Sequence, residues 1–297
     1  PYTPDLLIWD TTRHTNWQKE LIGNTAQTTN ATLSLSGGNA QTNFVLSGGY
    51  YKETTVFPGD YNFQRLSGNM NLTHHSQNNK FQLSTSVNYS MSLNRLLPID
   101  LTYIAVTLPP NAPALYTDDG DINWDWQNFD IQNPLSITKQ TYRNSTHNLI
   151  SNTTVGYEVL PGLQIKSNLG FTTMTVDELS TNPLSAIPPQ FLTTQTASSN
   201  FGKADLYTWI AEPQASYTKT ISKGSLNITV GSTFQQSTQS GNTFTARGYT
   251  SDALLENIKA ATSIEVSSAD YYKYRYTAVF GRVNYNWNER YIVNLTC

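Results

Sequence analysis

The feature that most constrains the fold is a recurring alternation of apolar with small polar residues. In residues 80–93, apolar side chains take most alternate positions, and glutamine, serine and asparagine stand between them. Successive side chains of a β-strand point to opposite faces, so each such run predicts a strand with one apolar and one polar face. Ten runs show this pattern: 28–36, 43–52, 64–74, 80–93, 142–158, 162–175, 204–219, 224–236, 271–287 and one that begins at about 290.

The connections between these runs alternate between short and long without exception. Some are tight turns, among them the Gly-Gly-Asn segment at 37–39, and the connections between them are long, at 52–63, 94–141, 176–203 and 237–270. In an up-and-down meander, every tight turn then lies at one rim and every long loop at the other, as in outer-membrane barrels. Compact soluble domains rarely carry long structureless loops. We therefore predict an all-β, antiparallel up-and-down transmembrane β-barrel.

The aromatic residues support a barrel whose apolar face meets lipid, because such barrels carry aromatic girdles at both interfaces with water. The middles of the runs carry leucine, valine, isoleucine, alanine, glycine and threonine. Aromatic side chains stand near the turn rim at Phe81, Tyr157, Tyr217, Tyr285, Trp287 and Tyr291. Near the loop rim they are Tyr50, Tyr51, Phe63, Tyr89, Tyr142, Phe171, Tyr207, Trp209, Phe234 and the tyrosines between 271 and 276.

Composition excludes several classes. Charged residues make up 13% of the 297 residues and the net charge is −3, which argues against a nucleic-acid surface of clustered lysine and arginine. Cys297 is the one cysteine, so no intrachain disulfide can form. The chain begins without methionine and ends within a predicted strand, which suggests a piece of a longer polypeptide.

No arrangement of residues typical of catalysis or metal binding stands out. A nucleophile elbow, a phosphate-binding loop and paired carboxylates are all missing from the pattern of residues, so an enzyme is disfavoured. The four histidines are scattered and give no ligand spacing. Asp118, Asp119, Asp121 and Asp125 loosely resemble a calcium loop, but the regular spacing and terminal glutamate are missing, and a solvated turn is the favoured interpretation.

The connection 94–141 contains the best candidates for ligand contact. Its aromatic residues lie among aspartate, asparagine and glutamine, and such a mixture suits a ligand with both apolar and hydrogen-bonding surface. The candidates for substrate binding are Tyr116, Trp124, Trp126 and Phe129. The alternative is that these side chains pack the loop onto its neighbours or onto a partner. In the last long connection, residues 251–262 predict a short helix capped by Ser251.

Several segments together resemble a known family. The segments SLSGGNAQTNFVLSGGYYKE (34–53) and YNFQRLSGNMNL (61–72), preceded by TNWQKELIG (15–23), resemble the start of the barrel in SusC/RagA-type TonB-dependent transporters of Bacteroidota. LPPNAPALYTDDG, followed by Asn-Pro-Leu at 133–135, is similar to that family's first large insertion. GYEVLPGLQIKSNLGF resembles its Pro-Gly periplasmic turn, and FGRVNYNWNERYIVNLT a later strand pair. The matches follow the family's order along nearly the whole chain.

The resemblance implies a domain organisation. The family has an N-terminal extension, a TonB box and a plug domain before a barrel of 22 strands, and this chain shows none of these N-terminal parts. Residues 1–26 would then be the end of the first extracellular loop. Residues 27–297 would be a partial barrel of about ten strands, strands 2–11 of the family, with the four long connections as extracellular loops.

The resemblance also implies a function. Members import nutrients such as glycans, oligosaccharides or peptides across the bacterial outer membrane, energised by the TonB-ExbB-ExbD complex, with a SusD-like surface lipoprotein as a lid and no cofactor. Two other classes remain open: a β-rich surface protein or adhesin without transport activity, and a glycan-acting enzyme built on a β-sandwich. The alternating connections favour a barrel over the sandwich enzyme. A plug and TonB box upstream would separate the importer from the adhesin.

Overall fold

A computed structural model of the protein describes residues 3–126 and 132–297. Its strands form one antiparallel sheet in which each strand pairs with its neighbours in sequence. The strands are β1 (Thr28–Gly38), β2 (Thr42–Thr54), β3 (Asn62–His75), β4 (Phe81–Leu96), β5 (Thr141–Leu160), β6 (Leu163–Asn182), β7 (Ala197–Ile221), β8 (Gly224–Tyr249), β9 (Ser263–Trp287) and β10 (Tyr291–Thr296). The predicted meander of ten strands is confirmed.

The tight turns all lie at one edge of this sheet. Side-chain hydrogen bonds and residues with positive φ stabilise them. In the β1–β2 turn, the Asn39 carboxamide accepts hydrogen bonds from the backbone N–H groups of Gln41 and Thr42, at 2.9 and 2.8 Å. The β5–β6 turn requires glycine because Gly162 has φ +84°. The three-residue β9–β10 turn places Asn288 and Glu289 in the left-handed region, and the Arg290 N–H donates to the Trp287 carbonyl oxygen at 3.1 Å.

The strands β6 to β9 are longer than the alternation predicts. β8 continues to Tyr249, and β9 already begins at Ser263. The paired ladder persists across this region with one register shift, between Thr243 and Phe244. Beyond the lipid neither face of a strand has to be apolar throughout, so the alternation that marks a strand in sequence disappears although the backbone still pairs.

Cross-strand register defines the two faces of the sheet. Leu46, Met70, Val87, Ser151 and Phe171 lie in one row across five strands, and Trp209 continues it. The adjacent row runs through Ser47, Asn69, Asn88, Ile150 and Thr172 to Thr208. We call the first the outer face and the second the inner face. The outer face is the apolar surface of a transmembrane barrel.

The helices are short and lie either before β1 or in the long connections. They are α1 (Pro4–Leu7), α2 (Trp17–Ile22), α3 (Thr102–Thr107) and α4 (Leu135–Lys139), with 3₁₀ turns at Leu184–Ala186, Pro189–Phe191, Asp252–Leu254 and Ile258–Ala260. In the described residues, no helix has the length and apolar character needed to cross a membrane. Residues 251–262, where one short helix was predicted, contain two 3₁₀ turns instead. Ser251 Oγ accepts a hydrogen bond from the Ala253 N–H, at 3.3 Å.

Candidate functional site

The chain beside the loop edge of the sheet is ordered by its own hydrophobic core. We use the name loop cluster for residues 3–22 together with the described residues of 97–139. Its buried side chains come from both segments: Trp9, Trp17, Leu21, Leu97, Leu101, Ala105, Leu108, Ala112, Leu115, Trp126, Leu135 and Ile137. The two segments are about a hundred residues apart, so this core holds the opening of the chain on the β4–β5 connection.

Hydrogen bonds fix the two segments of the loop cluster to each other. The indole Nε1 of Trp17 donates to the Pro109 carbonyl oxygen at 2.7 Å. The Asn111 carboxamide donates to the Asp5 carbonyl oxygen, also at 2.7 Å. Each bond satisfies a polar group that would otherwise be costly to bury.

Asn133 closes a small hairpin within the loop cluster. Its side chain is 1% exposed, and its Nδ2 donates to the carbonyl oxygens of Leu115 and Asn123, at 2.7 and 3.0 Å. Its Oδ1 accepts from the Leu135 N–H at 3.0 Å, at the start of α4. One buried amide therefore positions the segment 115–123, which carries Tyr116.

Of the predicted ligand contacts, Trp126 takes a packing position. It is 2% exposed, and its ring lies 6.2 Å from that of Trp9 and 6.4 Å from that of Trp17. An aromatic cluster of this kind contributes mainly by burying apolar area. Trp9 and Trp17 were not predicted as part of this site, because nothing in the sequence pairs them with a tryptophan so far along the chain.

The other predicted contacts differ in exposure. Tyr116 is 56% exposed and makes an isolated bridge to Ile122, next to the turn that contains Asp118 and Asp119. Trp124 is half-buried. Phe129 lies outside the described residues. Tyr116 and Trp124 are therefore close in sequence to the Trp126 anchor while keeping surface available to a ligand.

Two titratable groups at the edge of the loop cluster have shifted pKa values. Burial raises the pKa of Tyr61, whose phenol donates to the Thr138 carbonyl oxygen at 3.1 Å and so ties the start of β3 to α4. Hydrogen bonds from the Thr102 side chain and backbone lower the pKa of Asp100, where the backbone N–H donates at 2.7 Å. Each shift favours the form that makes the hydrogen bond, which is the neutral phenol of Tyr61 and the ionised carboxylate of Asp100.

The acidic residues near the tip of the hairpin do not converge. Within 3–126 and 132–297, no three side chains among histidine, cysteine, aspartate and glutamate come together in a way that could hold a metal ion. The Thr117 and Asp121 backbones pair at 2.8 Å, which makes the segment an ordinary turn with Gly120 at φ +88°.

A second group of contacts ties the connection 250–262 to the strands. The Ser199 hydroxyl donates to the Leu255 carbonyl oxygen at 2.7 Å, and Tyr249 and Leu255 are buried with Ala197 and Ala246. Arg143 and Glu256 form an ion pair at 3.2 Å. These contacts hold the connection against β5, β7 and β8.

The comparisons with known proteins agree with this architecture. No protein-family model matches the chain. The TonB-dependent receptor P3 of Formosa agariphila is 22% identical over 295 residues, which cover 95% of this chain and 29% of that receptor. The chain thus spans less than a third of this relative's length.

Solved structures share the fold. The RagAB peptide importer in its open-open state matches with a TM-score of 0.76 and 19% identity, over 97% of this chain and 33% of that one. A second structure, of the RagAB peptide transporter, gives a TM-score of 0.75, 18% identity and coverages of 98% and 33%. The siderophore receptor PiuA from Acinetobacter baumannii gives a TM-score of 0.50 at 12% identity, over 91% of this chain and 40% of that one. The resemblance in the sequence is confirmed, and the chain is a barrel fragment with the fold of SusC/RagA-type TonB-dependent transporters.

Proposed function

We propose that the full-length protein is an active importer of the bacterial outer membrane that takes up a glycan, oligosaccharide or peptide. One observation carries the proposal: the ten-stranded meander joins an apolar outer face to a polar inner face and has the fold of a RagAB importer. A wall of this kind separates lipid from a wet lumen. The transporters and receptors to which the chain is similar also argue against an enzyme.

The size of the complete barrel is our reason for proposing that TonB supplies the energy for import. The family resemblance implies 22 strands, and a barrel of that size encloses a lumen that must be plugged to keep the membrane tight. Opening a plug requires work, and no nucleotide is available at the outer membrane. We propose that the TonB-ExbB-ExbD complex supplies this work through the N-terminal part of the full-length protein.

A SusD-like surface lipoprotein is the proposed lid. The four long connections lie at one edge of the sheet, and two of them are packed by buried side chains. Ordered loops of this kind provide a docking rim that loses little conformational entropy when a partner binds. Their tyrosine and tryptophan residues suit an interface.

The test of energy coupling is uptake by cells carrying the full-length transporter, with TonB present or deleted. Candidate oligosaccharides and peptides are supplied with a radioactive label, and initial rates are compared. We expect import to require TonB and the lipoprotein. Equal rates without TonB would replace the proposal with a passive pore, and surface attachment without any import would favour the adhesin.

For the ligand-binding site we propose Tyr116, Trp124, Trp126 and Phe129. The exposed Tyr116 and the half-buried Trp124 would touch the ligand directly, and Trp126 would hold them in place. Tyr116→Ala and Trp124→Ala should weaken ligand binding while the barrel stays folded. Tyr103→Ala is the control, because this side chain is exposed on α3 of the same cluster. Unchanged binding in both test variants would leave these aromatic residues with a structural role.

A further inference from the structure

Three tyrosines form a ladder on the inner face of β9. Tyr272, Tyr274 and Tyr276 occupy alternate positions, and their register partners on β8 are Gln239, Ser237 and Gln235. The same register lines continue to Leu206, Thr208 and Ile210 of β7, which belong to the inner face. The sequence placed all tyrosines between 271 and 276 in an interfacial girdle, but three of the four face the lumen and only Tyr271 shares the outer face with Lys273 and Arg275.

The ladder lies at the height of the barrel mouth. On the outer face of β9, Val279 and Val283 give way to Arg275 and Lys273 on the loop side, and Arg275 Nε donates to the Gln236 carboxamide at 3.0 Å. Charged side chains on a lipid-facing surface are costly at mid-membrane and tolerated near the interface. The inner-face tyrosines at 272–276 therefore stand at the extracellular end of the lumen, where an incoming ligand arrives first.

A groove continues the ladder toward the loops. Its volume is about 360 Å³, and the inner-facing residues that line it include Glu178, Gly202, Gln239, Gly241, Asp270 and Tyr272. Gly202 and Gly241 have no side chains to fill the groove. The carboxylates of Glu178 and Asp270 lie opposite them on the neighbouring strands. Lys203 also borders the groove but takes an outward register position opposite Asp177.

We propose that this tyrosine ladder and its groove form a binding track for a neutral, hydroxyl-rich chain, an oligosaccharide, at the mouth of the lumen. The proposal rests on the proposed function and names the substrate class. The rings of Tyr274 and Tyr276 are parallel within 9°, with centroids 6.5 Å apart, so they stand as successive ribs along the strand. Such ribs offer apolar ring surface to C–H groups and phenol hydroxyls to polar groups.

The polar groups around the ladder favour a sugar over a peptide. Beside the tyrosines stand neutral amides and hydroxyls at Gln235, Ser237 and Gln239, and the carboxylates of Glu178 and Asp270 can accept hydrogen bonds from sugar hydroxyls. A free peptide carries a terminal ammonium group, which Glu178 or Asp270 can pair with, and a terminal carboxylate. Among the described residues of this patch (inner positions of 170–178, 202–210, 235–243 and 270–276), no lysine or arginine is present to pair with it.

The experiment measures equilibrium binding to purified full-length protein, which needs no TonB. The probes are a pool of neutral hexasaccharides with α- and β-linked hexoses and pentoses, and a pool of decapeptides, each followed by mass spectrometry of what the protein retains. Tyr274→Ala and Tyr272→Ala should weaken retention of hexasaccharide about tenfold, as central aromatic contacts do. Tyr274→Phe, which keeps the ring, should lose less.

Tyr271→Ala provides a matched control on the same strand. Tyr271 and Tyr272 are 64% and 66% exposed, but they lie on opposite faces. The variant should bind as the unaltered protein does. The proposal would be overturned if Tyr271→Ala and Tyr272→Ala weakened hexasaccharide retention equally. It would also be overturned if the protein retained only decapeptides, or neither pool. Because binding is read without transport, its failure is distinct from a failure of TonB-dependent uptake.

Discussion

The indole Nε1 of Trp9 donates a hydrogen bond to the carbonyl oxygen of Trp126 across 2.8 Å, although 117 positions separate the two residues. The rings meet edge to face at 78°. Both side chains are buried, so the bond is shielded from water. It joins the opening of the chain to the connection that carries the proposed ligand contacts.

Trp9→Phe should destabilise the loop cluster while leaving the sheet intact. The substitution removes the donor and leaves the Trp126 carbonyl buried without its partner, which costs about 1–3 kcal/mol. Hydrogen exchange of the amides in 97–112 should become faster, and exchange in β4 and β5 should stay unchanged. Tyr103→Ala is the control, since its ring is exposed on α3. Unaltered exchange in 97–112 would show that the loop cluster does not depend on this bond.

Asn133→Ala should also loosen the loop cluster, by a separate route. The change leaves the Leu115 and Asn123 carbonyl oxygens and the Leu135 N–H without their buried partner. We expect a loss of about 1–3 kcal/mol of local stability and faster proteolysis between 115 and 135. The neighbouring Gln132→Ala should have little effect, because Gln132 is exposed. Similar cleavage rates for the two variants would contradict this role for Asn133.

The sequence predicts the sheet well because one periodicity encodes both strand and membrane exposure. Leu83, Val87 and Met91 alternate with polar residues since one face of β4 meets lipid and the other water. The same logic fails at Thr243 or Ser268, which lie beyond the lipid, so strand pairing leaves no pattern there. The predicted strands were therefore too short on the loop side: β6 and β8 end later, and β7 and β9 begin earlier, than the alternation indicates.

The sequence predicted the aromatic composition of the loop cluster but not its contacts. The aromatic richness of 94–141 was visible, but the partners of Trp126 come from α2 and from the segment before it, and contacts at that separation leave no local signal. The sequence also did not show which of the tyrosines after 270 face lipid and which face the lumen. Their spacing alternates with Lys273 and Arg275, and only the register with β8 shows which set faces the lumen.

Tyr61→Phe should remove a pH-dependent link between β3 and α4. Burial raises the pKa of Tyr61, so its neutral phenol and its bond to Thr138 persist where free tyrosine ionises. This stabilisation is fully present below about pH 10, the unfolded pKa, and is lost as the pH rises through the higher folded pKa. Difference absorbance titration of the unaltered protein against the variant should show one phenol that ionises late. A difference curve centred at the ordinary tyrosine pKa would contradict the burial effect.

A substitution pair on β4 tests which face of the sheet meets lipid. Val87 lies between Met70 and Ser151 on the outer face, and Asn88 lies between Asn69 and Ile150 on the inner face. In the full-length protein folded into lipid vesicles, Val87→Arg should cost about 2–4 kcal/mol of folding stability, because arginine near the bilayer midplane loses its hydration. Asn88→Arg introduces the same side chain one position along the strand and should cost little, since it enters a wet lumen. Urea unfolding in vesicles measures both. Equal losses, or a larger loss for Asn88→Arg, would reverse the assignment of the two faces and with it the inner position of Tyr272, Tyr274 and Tyr276.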